Sequence, residues 1–291
     1  MSWDNIIYTL DFYHANGLKD VSYLGGEPTV HPDFVEIIDY TLNRGFVVKI
    51  FTSAIMPEEK MNRLYEVIEK HKAFDRIHFV CNANDPKYNK PKEWELIEKF
   101  YKKFSNLIVQ GFNIFEDDFD MTFLFDNVVK YGLRPFLRIG ITHKILGAQS
   151  NMCITPDKYP AVVKRLKHFL PFAQAAQVAY NIDCGLPMCA FSDEDLGVFS
   201  RANTNFSWKC SPVLDIGPDM TIWPCFPLSD MNTKTLFDFN SISDIMAYFS
   251  NIIAEQRGNN NGIYVECDTC RQLETNICTG GCQSYVLQRA K

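Results

Sequence analysis

From residue 21 to residue 182, short apolar runs alternate with longer amphipathic stretches, and this alternation limits the fold more than any other feature. The runs fall at 21–24, 46–51, 76–81, 106–112, 136–141 and 176–182. Between them, helical spacing predicts helices to about residue 43 and near 57–71, 91–103, 118–131 and 156–171. Another helix is predicted over residues 2–16, stopping at Ala15-Asn16-Gly17. A helix between two strands carries the chain back to the starting end of the sheet, so consecutive strands must run parallel. Runs such as Val47-Val48-Lys49-Ile50-Phe51 suit strands covered on both faces. Right-handed crossovers build a barrel or an open doubly wound sheet equally well, and periodicity leaves both open.

The second constraint is where the thiols lie. Of ten cysteines, only Cys81 and Cys153 precede residue 184. The other eight are Cys184, Cys189, Cys210, Cys225, Cys267, Cys270, Cys278 and Cys282. Beyond Cys184 the regular alternation gives way to turns and short segments, with one weak helix near 241–255 and a loop at 257–262. We therefore expect an α/β domain over 1–183 and a small cysteine-rich domain over 184–291, built of a β-hairpin, loops and short helices. The hairpin is expected where 213–216 and 221–223 flank the Gly217-Pro218-Asp219 turn, which would bring Cys210 and Cys225 together.

Composition removes several classes of function. A net charge of −6 and an isoelectric point near 5.6 lack the basic footprint of a nucleic-acid binder. No apolar run reaches the roughly 18 residues of a membrane span. The first residues carry no basic leader, so a reducing cytoplasm is the expected location. There, paired thiols point to metal or redox chemistry rather than a disulfide framework. The pattern CxxC-x7-CxGGC over Cys267, Cys270, Cys278 and Cys282 suits an iron–sulfur cluster, and four cysteines also suit tetrahedral zinc.

The most specific string is Val21-Ser22-Tyr23-Leu24-Gly25-Gly26-Glu27-Pro28-Thr29. A buried strand runs into two glycines, an acid and a proline at its carboxyl end, where α/β proteins place ligands. Glycines let the backbone approach a ligand, and Glu27 offers a carboxylate to a cationic amine. Strand–GGEP–T–xHPxF–helix resembles the second strand and turn of the radical S-adenosylmethionine (radical SAM) family. The resemblance implies a partial (β/α)6 barrel with the cofactor at its open carboxyl-terminal end. It implies SAM contacts from Gly25, Gly26, Glu27 and Pro28. Thr52 corresponds to the Thr of the family's Thr-Asn-Gly, while Asn82 and Arg138 stand where polar SAM contacts are found. Asn82, Asn84 and Arg138 are equally readable as polar groups satisfied at strand ends, and His78 and His143 as structural.

The family's CxxxCxxC, which holds a [4Fe–4S] cluster after the first strand, is not found, since no cysteine precedes Cys81. The helix over 2–16 resembles the family's first helix, so strand one is expected to be missing together with its cluster loop. Truncation at the N-terminus is the favoured explanation, and a degenerate, non-catalytic relative the rival one.

The cysteine-rich part resembles the SPASM and twitch extensions of radical SAM enzymes, whose thiolates hold one or two auxiliary [4Fe–4S] clusters. It departs from that pattern in the seven residues between Cys270 and Cys278, where five are common, and in having no cysteine after Cys282. The resemblance implies reductive SAM cleavage to a 5′-deoxyadenosyl radical that modifies a peptide or protein side chain. A flavodoxin or ferredoxin would serve as reductant. Other classes that remain open are a non-catalytic iron–sulfur carrier or scaffold and a zinc-stabilised binding protein.

Overall fold

The computed structural model describes residues 1–82, 84–231 and 234–289. Helix α1 (Trp3–Ala15) precedes strand β1 (Asp20–Tyr23). The series continues as α2 (Phe34–Asn43), β2 (Val47–Thr52), α3 (Glu58–Lys70), β3 (Ile77–Asn82), α4 (Pro91–Phe104) and β4 (Ile108–Ile114). It then runs through α5 (Thr122–Tyr131), β5 (Phe136–Ile141), α6 (Tyr159–Ala175) and β6 (Ala179–Ile182). Every predicted strand and helix of this part is present. The later start of α5 has a local cause: Asp120 accepts hydrogen bonds from Thr122 N (2.9 Å) and Oγ1 (2.8 Å), forming a turn ahead of the helix.

One unit was not foreseen. Helix α7 (Asp193–Arg201), capped by Ser192, leads to strand β7 (Asn205–Phe206), which extends the sheet beyond residue 183. Two residues of strand are too few to show a period, so the sequence carried no signal for β7.

All seven strands are parallel, in the order β1-β2-β3-β4-β5-β6-β7. That order decides between the two architectures left open by periodicity. A doubly wound sheet reverses its strand order at a switch point, and this one never reverses. Right-handed crossovers moving always one way put the linking helices on one face, as in a partial barrel. Side chains alternate accordingly. Val48, Ile50, Ile77, Phe79, Ile108, Leu137 and Ile139 are buried on the helix-covered face. Phe79, for example, meets Phe100 and Phe104 of α4 at 5.0 Å between ring centroids. The alternate positions, among them Lys49, Phe51, Asn82, Gly111, Asn113 and Arg138, belong to the opposite, concave face.

Beyond β7 come the hairpin β8 (Asp215–Ile216) and β9 (Ile222–Trp223), then α8 (Ile242–Arg257), α9 (Arg271–Glu274) and α10 (Gln283–Arg289). The hairpin turns at Gly217, as predicted. Its second core joins Met220, Ile222, Leu236, Ile245 and Phe249 to Phe12 of α1. Asn5 of α1 donates to the Pro218 carbonyl (3.2 Å), and Asn16 accepts from Ile242 N (3.0 Å). Helix α1 thus has two buried sides, one on the sheet through Ile6 and Leu10 and one on the hairpin and α8.

Candidate functional site

The turn after β1 is built around one carboxylate. Glu27 Oε1 accepts from Thr29 N (3.1 Å), Thr29 Oγ1 (2.8 Å) and Thr52 Oγ1 (2.8 Å). Its Oε2 accepts from Ser53 N (2.6 Å) and Ser53 Oγ (2.7 Å). Burial alone would raise the pKa of this group. The hydrogen bonds from Ser53, Thr29 and Thr52 outweigh it and hold the carboxyl below its usual range. Glu27 and Thr52 therefore tie the end of β1 to the end of β2. The carboxylate is already engaged by five protein donors, so the groups left open to a cationic amine are backbone carbonyls. Gly25, at φ +130°, and Gly26 are exposed, and a Cβ on either would meet nothing within 4 Å. Pro28 begins a short 3-10 turn, and Lys60 Nζ pins it through the Thr29 (2.8 Å) and His31 (3.2 Å) carbonyls.

Beside this turn, the concave face is polar. The Asn82 side chain lies across Gly111 on the next strand, and Asn113 lies across Gly140, filling the space where a Cβ would stand. Among the described residues, Asn82 Oδ1 is buried without a hydrogen-bond partner, so an acceptor faces inward unsatisfied. Arg138 pairs with Asp183 at the end of β6, and its guanidinium sits 5.0 Å over the Phe51 ring. Burial raises the Asp183 carboxyl above the usual carboxylate range despite the attraction of Arg138 and Lys49. Asp183, Asn113 and Ser53 escaped sequence reasoning. The signal was present in Gly111 and Gly140, since glycine inside a strand marks close approach of a neighbour.

The Asp183 position leads directly into the thiols. Gly185 follows with φ +122°, and a Cβ there would overlap the His143 ring. His143 stands against the Cys184 carbonyl, edge-on to Tyr285 at 6.1 Å. Burial pushes its pKa below the ordinary histidine value, favouring a neutral imidazole in a structural place. The nearby Cys210 thiol, with burial, pushes the Cys184 thiol far above the ordinary range. Cys210 and Cys225 line a cavity of about 260 Å³ together with Arg257, Thr279 and Gln283. Cys267, Cys270 and Cys278 lie close enough to feel one another's charge, and burial raises the Cys267 thiol. Gly280 and Gly281, at φ +81° and +85°, reverse the chain between Cys278 and Cys282. Gly280 N donates to Cys278 Sγ (3.3 Å), and Thr279 Oγ1 accepts from Cys210 N (2.7 Å).

All eight cysteines of the C-terminal part are free thiols. Soft thiol donors in fours have the chemistry an iron–sulfur cluster requires. Among the described residues, no three His, Cys, Asp or Glu side chains converge at the spacing of a single metal ion. Cys81 stands apart, fully buried, its thiol held protonated by burial and by Glu27. Cys153 lies beside Tyr285. No three-thiolate set stands by Gly25 and Gly26 among the described residues, so the residues present do not fit the SAM-ligating cluster.

Residues 1–123 match the sequence model of the radical SAM superfamily. That part of the chain is therefore similar to radical SAM domains. No curated protein matches the chain. The fold is similar to solved structures of SuiB from Streptococcus suis. SuiB bound to S-adenosylmethionine superposes with a TM-score of 0.61 at 16% identity over 96% of this chain. SuiB bound to the precursor peptide SuiA gives 0.64 at 15% identity over 97% of the chain. The chain spans 65% of the length of SuiB in both. These matches extend past the radical SAM domain, so the cysteine-rich part shares the fold as well. No helix among the described residues is long and apolar enough to cross a membrane.

Proposed function

We propose that this is a radical SAM enzyme that modifies a peptide or protein side chain, with residues 184–291 forming a SPASM-like domain for auxiliary [4Fe–4S] clusters. The observation that carries the reading is the Gly25-Gly26 turn of the radical SAM domain. Its backbone is open, its geometry is locked by Glu27, and it lies at the carboxyl end of a parallel sheet with a polar concave face. When bound, SAM and its cluster supply a 5′-deoxyadenosyl radical after one-electron reduction. The part played by this chain is binding and exclusion. The Gly25 and Gly26 carbonyls would accept from the SAM amine, Asn82 would offer an acceptor, and the Arg138–Asp183 pair on Phe51 would present a fixed charge pair to the concave face. No reductive step is assigned to residues 1–291, which lack the CxxxCxxC thiolates.

A peptide substrate is supported by the likeness to SuiB, which binds a precursor peptide, and a flavodoxin- or ferredoxin-type protein is the proposed reductant. Native protein purified anaerobically, given SAM and dithionite, is expected to release 5′-deoxyadenosine. Iron and sulfide present without SAM cleavage would instead support a non-catalytic iron–sulfur carrier, the rival reading that the missing motif keeps open. Stoichiometric zinc without sulfide would support the zinc-stabilised binding protein.

A further inference from the structure

Resting on the reading of this chain as a peptide-modifying enzyme, the concave face carries the chemistry by which a peptide would be held. Strand register sets residues 82, 111, 138, 181 and 205 side by side on one rung across β3 to β7. These are Asn82, Gly111, Arg138, Asn181 and Asn205. Toward the carboxyl ends of the strands, Asn113 stands beside Gly140, and Asp183 follows β6. The main-chain N–H and C=O groups of the inner strands are consumed by the parallel ladder, so this face bonds a ligand through side chains.

Two of these polar groups are committed to each other. Arg138 pairs with Asp183 and sits 5.0 Å over the Phe51 ring. The carboxamides are not committed. Asn113, Asn181 and Asn205 are exposed, and none of the three side chains has a hydrogen-bond partner among the described residues. Asn82 adds a buried Oδ1 without a partner on the same rung. Gly111 and Gly140 let Asn82 and Asn113 lie across the neighbouring strand, which keeps this part of the face low. A carboxamide holds a carbonyl acceptor and an NH2 donor, the same pair that a peptide group holds. Two hydrogen bonds in a ring can therefore join an Asn side chain to the N–H and C=O of an extended main chain, whatever side chains it bears. Because Asp183 neutralises the one cation on the rung, the row suits neutral peptide groups better than phosphate. From β4 to β7 it covers about 14 Å along the sheet, the reach of about four extended residues. It also lies at the same carboxyl end of the sheet as the Gly25-Gly26 turn.

We propose that Asn113, Asn181 and Asn205 form a platform that binds a peptide substrate by its main chain, laying an extended segment across β4 to β7 without reading its side chains there. The test is calorimetric titration of the full chain, prepared anaerobically, with three capped nonapeptides in which Ala alternates with Ser, Glu or Lys. Wild-type protein is expected to bind all three alike. Asn181→Val/Asn205→Val should weaken each by about a hundredfold, roughly tenfold for each carboxamide lost. The same peptides N-methylated at alternate residues lack those N–H donors and should bind wild type as weakly as the parents bind the double variant. Valine suits an exposed strand position, and the urea midpoint checks folding. Asn181→Asp/Asn205→Asp keeps the size, loses the donors and should weaken binding as well. Affinities set by side-chain charge and unmoved by either double variant overturn the platform. So does wild-type protein that binds none of the peptides, or that binds a neutral oligosaccharide in their place. Release of 5′-deoxyadenosine is read separately: its absence beside the expected peptide binding overturns the enzymatic reading and leaves the platform standing.

Discussion

Replacing Glu27 by glutamine tests whether the turn after β1 is held by charge. The carboxylate accepts five hydrogen bonds, three on Oε1 and two on Oε2. An amide with its oxygen at the Oε1 position keeps the first three. Its NH2 then points at Ser53 N–H, donor against donor, while the Ser53 hydroxyl can rotate and accept. One backbone N–H loses its partner, which costs about 1–3 kcal/mol, and the remaining bonds lose their charge assistance. Glu27 is only half-buried, so water recovers part of this, and we expect about 2 kcal/mol in total. For a chain of this size that is a fall in Tm of about 4–8 °C, given about 2–4 °C per kcal/mol. The pH dependence is the sharper readout. A carboxyl whose folded value lies below its unfolded value contributes stability above the unfolded value and loses it as pH falls through the folded one. The gap between wild type and Glu27→Gln should therefore be full at pH 7, begin to shrink as pH falls past the unfolded glutamate value of about 4.3, and go on shrinking toward the lower folded value. Thermal scans of both proteins from pH 7 to pH 3 measure it. Equal Tm values at pH 7, or a gap that does not shrink between pH 7 and pH 3, would refute the charge argument.

Gly185→Ala forces a Cβ into the His143 ring at φ +122° and should destabilise by about 1–3 kcal/mol, seen as a lower urea midpoint. Arg138→Met removes the partner of a pair whose side chains are 29% and 27% exposed. Asp183, already raised by burial, then rises further. The cost should be about 1–3 kcal/mol at pH 8 and shrink toward pH 5 as the carboxyl takes a proton; urea titrations at the two pH values check the sign. Phe249→Ala empties a fully buried site between α8 and the hairpin, at a cost of about 3–5 kcal/mol. Because that core includes Phe12 of α1, denaturant unfolding should show the sheet and the cysteine-rich part destabilised together rather than one alone.

Much of this molecule was legible in its sequence because the relevant physics is local. Period-2 and period-3.6 patterns identified β1 to β6 and their helices nearly to the residue, and Gly217-Pro218-Asp219 marked the hairpin. The string Gly25-Gly26-Glu27-Pro28 marked the turn, and the clustering of cysteines after Cys184 marked the thiol-rich part. Tertiary structure alone decided the rest, because it depends on which distant residues meet. Strand order, which excludes a doubly wound sheet, is set by where each crossover lands. The short strand β7 exists only through its pairing with β6. The Glu27 carboxylate turned from an open acceptor into an occupied strut because Thr52 and Ser53, on another strand, reach it. The cysteines show the division most plainly. Residue type and spacing pointed to metal or redox chemistry, but contacts such as that of Cys210 N with Thr279 Oγ1, sixty-nine residues away, are encoded by no spacing rule.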